Sequence, residues 1–247
     1  KSSVLANRSH EIRTPMNGIL GMLRSLSADT LDVPQHRKVQ TAQASGESLL
    51  TILNDILTYT KVEISESAPE PVVFDLPKLV SDMVALLEPG AREKGLHLWL
   101  DCPDTLPSVL RGDMGKLRQI LFNLLSNALK FTEVGEVVLR VRCLGQSSAR
   151  ADFVFEVSDT GRGIPREARQ RVFEAFEQED GLTERRYGGT GLGLAICRSF
   201  AEVIGGTLSV ESTRNVGSVF TLRVGFELAS GQVHPAVHQD HPQHQLS

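Results

Sequence analysis

The hydrophobic periodicity changes once along the chain, and this change limits the folds that the chain can adopt. Over Leu5–Leu26 the apolar residues mostly recur every three or four positions, which predicts an amphipathic helix. A second stripe of this kind covers Val39–Leu57, and the break between the two, Ala28–Gln35, carries helix-stop and helix-start residues. The pattern predicts an antiparallel helical hairpin over residues 1–64. Because a lone hairpin cannot bury both stripes, we expect it to form a homodimeric four-helix bundle.

Strand-like and helical segments alternate in the rest of the chain. A linker rich in Ser, Glu and Pro is predicted at residues 65–71. The segments with strand composition are Val72–Leu76, Leu96–Asp101, Glu136–Cys143, Asp152–Asp159, Thr207–Glu211 and Ser218–Phe226. The segments with helical patterns are Pro77–Lys94, Met114–Lys130, Arg166–Ala175 and Leu192–Ile204. This order predicts an α/β sandwich over residues 72–228, with helices on one face of a sheet.

Charge, cysteine content and hydropathy exclude several classes of function. A net charge of −4 and a pI near 6.0 argue against a nucleic-acid partner. No apolar run is long enough to span a membrane, and the chain opens without Met or a signal peptide, so we expect an excised cytoplasmic segment. Residues 229–247 contain four of the seven histidines among Gln, Pro and Asp, which favours a polar tail or linker over a metal site. Neither a zinc pattern nor a disulfide framework fits the three cysteines, which are Cys102, Cys143 and Cys197.

The first predicted helix contains the segment Ser9-His10-Glu11-Ile12-Arg13-Thr14-Pro15. His10 and Thr14 lie one turn apart on the same face, away from the apolar stripe. A solvent-facing neutral imidazole beside a carboxylate is a competent nucleophile, because the carboxylate fixes the tautomer and accepts a proton. Pro15 lacks a backbone donor, so we expect a kink there. Taken by itself, this segment fits a surface histidine without function better than a nucleophile.

The predicted helix Met114–Lys130 carries a polar stripe beside an apolar one. Asn123, Asn127 and Lys130 share one face of this helix. Amide oxygens can bind a hard cation such as Mg²⁺, and a lysine one turn further on can reach phosphate oxygens. A solvated face without function explains the stripe equally well, although such faces usually carry Glu and Lys rather than Asn. The predicted buried stripe consists of Leu117, Ile120, Leu121, Leu124 and Ala128.

Two glycine-containing segments could approach a ligand closely. Asp159 ends a predicted strand and precedes Gly161 and Gly163, so its carboxylate can accept a hydrogen bond from an exocyclic amine such as that of adenine. Glycines at Gly189–Gly193 come directly before a helical pattern and predict an anion site at the helix N-terminus. Arg185 and Arg186 add charge suited to a triphosphate. Neither the dinucleotide-binding pattern nor the P-loop pattern is present.

A polar stretch separates these two glycine segments. We expect Phe173 and Phe176 to be core residues, and we expect Glu177–Tyr187 to form a mobile lid.

Taken together and in order, these segments resemble the core of sensor histidine kinases. The strings Ser-His-Glu-Ile-Arg-Thr-Pro-Met-Asn-Gly from Ser9 and Arg-Arg-Tyr-Gly-Gly-Thr-Gly-Leu-Gly-Leu from Arg185 are similar to those of hybrid sensors, and the resemblance covers Lys1–Leu228. It implies a dimeric helical hairpin for histidine phosphotransfer, followed by an α/β sandwich ATP-binding domain of the GHKL (Bergerat) type. It also implies a bacterial protein anchored in the inner membrane.

The resemblance implies a role for each motif residue. His10 would accept the γ-phosphoryl group of ATP, and Glu11 would assist as a base or orienting acceptor. Thr14 matches the position linked to phosphatase activity on a receiver domain. Mg²⁺ would be bound by Asn127 with support from Asn123. The remaining nucleotide-binding residues would be Lys130 at the phosphates, Asp159 at the adenine amine, Phe131 beside the base, and Gly161, Gly163, Arg185, Arg186, Gly189, Thr190, Gly191, Leu192 and Gly193 around the pocket and its lid.

The resemblance also implies a partner. The phosphoryl group would pass from the histidine to an aspartate of a response-regulator receiver domain, supplied separately or located C-terminally in the full-length chain. The ATP domain would have to move against the hairpin through the linker to reach the histidine.

Two departures from the family pattern keep other functions open. Arg8 stands where the family usually has an apolar residue, and Gly181, Leu182 and Glu184 replace a segment that is usually rich in Ser and Thr. One alternative is a regulatory module that binds another histidine kinase and has little catalysis of its own. Another is an ATPase of the same nucleotide-binding superfamily, as in topoisomerases or chaperones, but such an enzyme would not need the His10 helix.

Overall fold

A computed structural model describes residues 2–27, 31–64, 69–177 and 191–229, without the side chains of residues 2–13, 47, 48, 51, 59 and 61–64. The chain begins with a hairpin of α1 (Ser2–Ser27) and α2 (Val33–Ile64), as predicted. Helix α1 continues through Pro15. At the start of α2, the backbone N–H of Gln35 donates to Asp32 Oδ1 and the Gln35 side chain accepts from the Asp32 N–H, which satisfies two donors at the helix end.

The two helices approach closely where a glycine faces a leucine. A Cβ atom placed on Gly46 would lie 2.8 Å from Leu20 Cδ2, and the Leu20 side chain is buried there. Other apolar side chains of the hairpin remain exposed, including Met22, which is 71% exposed, together with Ile19, Leu26, Leu49 and Ile56. The hairpin therefore presents an apolar surface that the described residues of this single chain do not cover.

The second part of the chain is a mixed seven-stranded sheet with helices on one face. Its strands are β1 (Val72–Asp75), β2 (His97–Asp101), β3 (Val109–Gly112), β4 (Glu136–Gln146), β5 (Arg150–Asp159), β6 (Thr207–Thr213) and β7 (Gly217–Leu228). The strand order is β1-β3-β7-β5-β4-β2, and β6 also pairs with β7. Only the β2–β4 pair is parallel among the described strands. The helices are α3 (Leu76–Glu93), α4 (Met114–Phe131) and α5 (Gly193–Val203).

The core lies between the sheet and these helices. Alternate residues of β4 and β5 point inward and are buried, namely Val137, Leu139, Val141, Phe153, Phe155 and Val157. The apolar stripe predicted for α4 is buried in full, because all five of its members are at most 4% exposed. The α/β sandwich is therefore confirmed, with α4 packed on β4 and β5.

The hairpin and the sheet module touch through α2 and α5. Within the described ranges, no helix is both long and apolar enough to cross a membrane. Cys102, Cys143 and Cys197 are free thiols.

Three expectations about this module were wrong or incomplete. The predicted helix Arg166–Ala175 is instead a pair of short 3₁₀ turns at Arg166–Ala168 and Arg171–Phe173. This segment has too few apolar residues to bury a longer helix, and Phe173 is its only buried side chain. Phe176 is 66% exposed rather than part of the core. Strand β3 was not predicted, although it lies between β1 and β7 and buries Leu110 completely.

Candidate nucleotide site

Helix α4 supplies the polar stripe of the candidate site. Asp113 caps the start of the helix by accepting the Lys116 N–H at 2.9 Å. Asn123 and Asn127 are half-buried, one turn apart on the helix. The Asn123 amide donates to the carbonyl of Gly193 at 3.4 Å and accepts from Gln119 at 3.2 Å. Asn123 thus ties α4 to the first turn of α5.

The Asn123 amide also approaches the buried thiol of Cys197 on α5. Burial raises the pKa of this thiol to about 12, although the hydrogen bond from Asn123 opposes the increase, and the Asp55 carboxylate of α2 adds to it. These contacts fix the Asn123 amide between α4 and α5.

Positive charge concentrates at the C-terminal end of α4. Lys130 Nζ lies 5.0 Å from the centre of the Phe131 ring, and the guanidinium carbon of Arg162 lies 4.8 Å from the same centre. Lys94 Nζ donates to the Leu129 carbonyl at 2.9 Å, which satisfies one of the last carbonyls of the helix. Burial lowers the pKa of Lys130, and the neighbouring charges of Arg162 and Lys94 lower it further. This end of the helix is therefore suited to binding an anion.

Asp159 ends β5 as predicted, and its carboxylate is fixed by its neighbours. It accepts the Gly161 N–H at 2.8 Å and hydrogen bonds from Ser218, its partner in β7. Burial raises the pKa of Asp159 despite these bonds, which by themselves would lower it. A half-buried carboxylate with a fixed orientation can accept a hydrogen bond from a ligand amine at little further entropic cost.

The turn after Asp159 requires its two glycines. A Cβ atom on Gly161 would lie 2.5 Å from the Phe131 carbonyl oxygen. Gly163 has φ +66° and a Cβ atom there would collide with the Thr213 carbonyl. Gly161 thus allows the turn to lie against the end of α4, which brings Asp159 close to Phe131, and Gly163 allows it to lie against the end of β6.

The second glycine segment is described from Gly191 onward. Gly191 has φ +68°, and its carbonyl accepts the N–H of Phe176 at 3.1 Å. This bond explains why Phe176, with φ +65°, is exposed instead of buried. Leu192 is completely buried, and it precedes α5 at the N-cap position without a side-chain capping hydrogen bond of its own.

For several residues predicted to belong to the site, the structure gives no position in it. Arg185, Arg186, Gly189 and Thr190, and most of the predicted lid, lie outside the described residues, as do the side chains of His10 and Glu11. His10 belongs to α1, and Thr14 is exposed on the same helix.

Residues that the sequence analysis missed also belong to this site. Ser212 Oγ accepts the Ile164 N–H at 2.7 Å, donates to the Gly217 carbonyl at 2.8 Å and lies 3.0 Å from Ser218 Oγ. These buried hydroxyl groups connect the Gly163 turn to the partner of Asp159. Only the strand register brings Ser218 opposite Asp159, and the spacing of residues along the chain does not reveal that register.

Two family models match the chain. The His Kinase A (phospho-acceptor) domain matches residues 1–64, and the histidine kinase-, DNA gyrase B-, and HSP90-like ATPase model matches residues 112–228. The chain belongs to the histidine kinase family. The expected identification and the expected fold class, a phospho-acceptor hairpin with a GHKL-type domain, are thereby confirmed.

Similar histidine kinases are found in several bacteria. The chain is 46% identical over 235 residues to the sensor histidine kinase AruS of Pseudomonas aeruginosa, matching 93% of this chain and 23% of that protein. It is 38% identical over 228 residues to the signal transduction histidine-protein kinase BarA of Escherichia coli K12, matching 92% of this chain and 25% of that protein. The chain therefore spans about a quarter of the length of these relatives.

Solved structures of histidine kinases share the architecture. The crystal structure of full-length ShkA in complex with AMPPNP matches 94% of this chain and 47% of that one, with a TM-score of 0.76 and 35% identity. The histidine kinase AdeS of Acinetobacter baumannii has the same fold, with a TM-score of 0.60 and 22% identity over 87% of this chain and 96% of that one.

Proposed function

We propose that this chain is the autokinase core of a hybrid sensor histidine kinase. An imidazole nitrogen of His10 attacks the γ-phosphorus of ATP, the bond to the β–γ bridging oxygen breaks, and ADP leaves with that oxygen. Glu11 accepts the imidazole proton. The observation that supports the proposal is that one chain contains a phospho-acceptor hairpin and a sheet module in which the turn after Asp159 packs against the Phe131 carbonyl, with Lys130 on the Phe131 ring.

Each group of the pocket has a distinct task in this reaction. Asp159 accepts a hydrogen bond from the adenine amine, and Phe131 flanks the base. Lys130 binds the phosphates, where its positive charge stabilises the charge that develops on the transferring group. The glycines Gly161, Gly163, Gly191 and Gly193 shape the pocket, and we assign Arg185, Arg186, Gly189, Thr190 and Leu192 to the same site.

Mg²⁺ fits this site as a companion of the nucleotide rather than as a resident ion. Within the described ranges, no cluster of three or more His, Cys, Asp or Glu side chains could hold a metal. The amide oxygen of Asn127 is a suitable hard ligand, with Asn123 behind it, and Mg²⁺ usually completes its shell with water and substrate phosphates. The ion would neutralise phosphate charge during transfer.

The chain divides by task, with phosphotransfer in residues 1–64, a linker at 65–71, ATP binding at 72–228 and a tail or linker at 229–247. The exposed apolar surface around Met22, Ile19 and Leu49 would be covered by a second copy of the hairpin, because dimerisation removes this surface from water.

The next acceptor of the phosphoryl group is the aspartate of a receiver domain. Thr14 assists the phosphatase reaction, which removes the phosphoryl group from that domain. The native protein would be bacterial and anchored in the inner membrane, with this part in the cytoplasm.

The deciding experiment follows labelled γ-phosphate from Mg-ATP into the purified chain. We expect an acid-labile, alkali-stable label that is lost in His10→Gln and kept in His36→Gln, a matched change at an exposed histidine of α2. Label that survives in His10→Gln would refute the assignment of the acceptor. Label that is absent from the wild type, despite nucleotide binding, would instead favour the regulatory module that pairs with another histidine kinase, in line with Arg8 in α1.

The metal assignment has its own test. Asn127→Ala should abolish Mg²⁺-dependent binding of ATP, as measured by calorimetry with and without the metal. Unchanged affinity in the presence of Mg²⁺ would show that Asn127 does not hold the ion.

A further inference from the structure

A row of residues across β5, β7 and β6 is polar, whereas the row before it is apolar. Asp159 on β5 faces Ser218 on β7, and Ser218 faces Ser212 on β6. The members of the apolar row are Val157, Phe220 and Val210. Only 7% of Ser212 and 6% of Ser218 is exposed. Hydroxyl groups that continue an apolar row under such burial need hydrogen-bond partners that compensate for the loss of water.

The hydroxyl group of Ser212 contacts two separate parts of the site. Its oxygen accepts the Ile164 N–H at 2.7 Å, and its proton is donated to the Gly217 carbonyl at 2.8 Å. The hydroxyl oxygen of Ser218 lies 3.0 Å away. Ser212 therefore joins the turn after Asp159 to the start of β7, and both of these segments hold the Asp159 carboxylate.

The hydroxyl proton of Ser218 has two acceptors within reach, the Asp159 carboxylate and the Ser212 oxygen. An ionised carboxylate is the stronger acceptor of the two. One lone pair of the Ser212 oxygen is moreover already used by the Ile164 N–H. The arrangement therefore favours the conformer in which the Ser218 hydroxyl points at Asp159, while Ser212 fixes the Ser218 oxygen from the other side.

We propose that Ser212 is a positioning residue for adenine recognition, which acts through Ser218 to direct the Asp159 carboxylate at the exocyclic amine. This inference rests on the proposed nucleotide site and adds to it a residue that does not touch the ligand. Without the Ser212 hydroxyl, Ser218 Oγ loses its support and the Ile164 N–H loses its acceptor. Asp159 would keep its place in β5 but would bind the amine less tightly.

The loss of Ser212 should also change the titration of Asp159. Burial raises the pKa of Asp159, and the hydrogen bonds from Gly161 and Ser218 lower it. Among the described residues, no charged side chain contributes to this pKa. The charged residues of the adjoining segments are Lys130, Glu133, Glu136, Arg162 and Arg214. Because a poorly directed Ser218 hydroxyl stabilises the ionised carboxylate less, the pKa of Asp159 should rise further in Ser212→Ala.

The test compares ADP with the diphosphate of purine riboside, which lacks the exocyclic amine, by calorimetry on the full chain with Mg²⁺. For the wild type we expect ADP to bind roughly 10-fold to 100-fold more tightly, the range for a hydrogen bond to a charged group. Ser212→Ala should lower this ratio of affinities roughly threefold to tenfold, the size of one neutral hydrogen bond, and leave affinity for the analogue within about twofold. Ser212→Thr keeps a hydroxyl group and should restore the ratio towards the wild-type value.

The pH dependence of the ratio separates positioning from a purely structural role. The ratio should fall as the pH falls through the pKa of Asp159, and in Ser212→Ala this fall should begin at a higher pH. Both ligands carry the same diphosphate, so titration of the phosphates cancels in the ratio. Val210→Ala is the matched control, because Val210 is the neighbour of Ser212 on the same face of β6 and packs against the core. It should lower stability to urea without changing the ratio or its pH dependence.

A double variant tests the path through Ser218. In the Ser218→Ala background, Ser212→Ala should change the ratio by less than about twofold, because the path is already broken. A full effect of Ser212→Ala in that background would refute the path.

The other outcomes contradict the role of Ser212 in different ways. An unchanged ratio in Ser212→Ala, or an equal loss of affinity for both ligands, would refute the positioning role, as would a folded Ser212→Thr chain that behaves like Ser212→Ala. A wild-type chain that binds the two ligands equally would refute the assignment of Asp159 to adenine, on which the role of Ser212 depends. A wild-type chain that binds neither ligand would refute the nucleotide site itself.

Discussion

The carboxylate of Asp113 joins the entry of the sheet module to the helix that carries the nucleotide site. Only 5% of its surface is exposed. It accepts the Lys116 N–H at 2.9 Å, the Lys116 ammonium at 2.6 Å and the Glu70 N–H at 3.0 Å. Replacement by Asn conserves the shape and the Oδ1 acceptor, but places an amide N–H₂ group against the ammonium and the Glu70 N–H. Two hydrogen bonds are lost, and the Lys116 charge remains nearly buried without its partner.

We therefore expect Asp113→Asn to lower the free energy of unfolding by about 3 kcal/mol. This loss combines one charged hydrogen bond, one neutral hydrogen bond and the cost of leaving the Lys116 ammonium without its partner. For a chain of this size, that loss corresponds to a decrease in Tm of about 6–12 °C. The assay is urea unfolding followed by the fluorescence of Trp99, the only tryptophan, which lies in β2. Asp82→Asn is the control, since the Lys78–Asp82 pair is exposed and its loss should change stability by less than about 0.5 kcal/mol.

The difference in stability between the wild type and Asp113→Asn should decrease as the pH falls. Burial raises the pKa of Asp113, but the hydrogen bonds from Lys116 and Glu70 outweigh burial and hold it below its ordinary value. Its stabilising contribution is therefore complete above the unfolded pKa of about 3.9 and is lost as the pH falls through the lower folded value. The gap between wild type and Asp113→Asn should be constant from pH 8 to about pH 5 and narrow in acid. A gap below about 1 kcal/mol at pH 7, or one that acid does not change, would refute this reasoning.

Three further changes test the site and its frame. Asp159→Asn should weaken ADP binding, measured by calorimetry, roughly tenfold or more. Asp152 is exposed at the other end of β5, so Asp152→Asn should leave ADP binding unchanged. Equal effects of the two changes would contradict the assignment of Asp159 to adenine. Gly163→Ala should lower the free energy of unfolding, measured by urea unfolding, by more than about 2 kcal/mol, because φ of Gly163 is +66° and an added Cβ atom meets a backbone carbonyl. Gly90→Ala in α3 is the control and should be neutral or stabilising by up to about 1 kcal/mol. Cys197 should react with maleimide only after unfolding, because its thiol is buried and burial raises its pKa to about 12. Peptide mass spectrometry detects the label, and labelling of Cys197 in the native chain would show that α4 and α5 separate.

Periodicity predicted the parts of this molecule in which one face of an element is buried. The stripe of α4 follows helical spacing from Leu117 to Ala128 because that face of the helix is buried, although contacts with α3 and α5 accompany burial of Leu125 and Leu129 as well. Asp159 was recognised because a strand, a carboxylate and two glycines are consecutive in the sequence. Such local signals survive folding, since they depend on backbone conformation rather than on distant partners.

Features that depend on distant partners were not predicted. Strand β3 is short, and its place between β1 and β7 is fixed by pairing with residues on both sides of it in the chain. Phe176 has the composition of a core residue, but its left-handed backbone and its bond to Gly191 turn it outward. The cation pair of Lys130 and Arg162 arises from contact between α4 and the turn after β5, which no spacing rule describes.

The bond between the Phe176 N–H and the Gly191 carbonyl joins the two described segments on either side of residues 178–190. The candidate site is built from α4, β5, β7 and α5, and none of these elements includes residues of this stretch. Insertions, deletions or exchange of this stretch with that of a relative should therefore alter catalysis and nucleotide release without unfolding the sheet, provided that the two left-handed residues at its ends are kept.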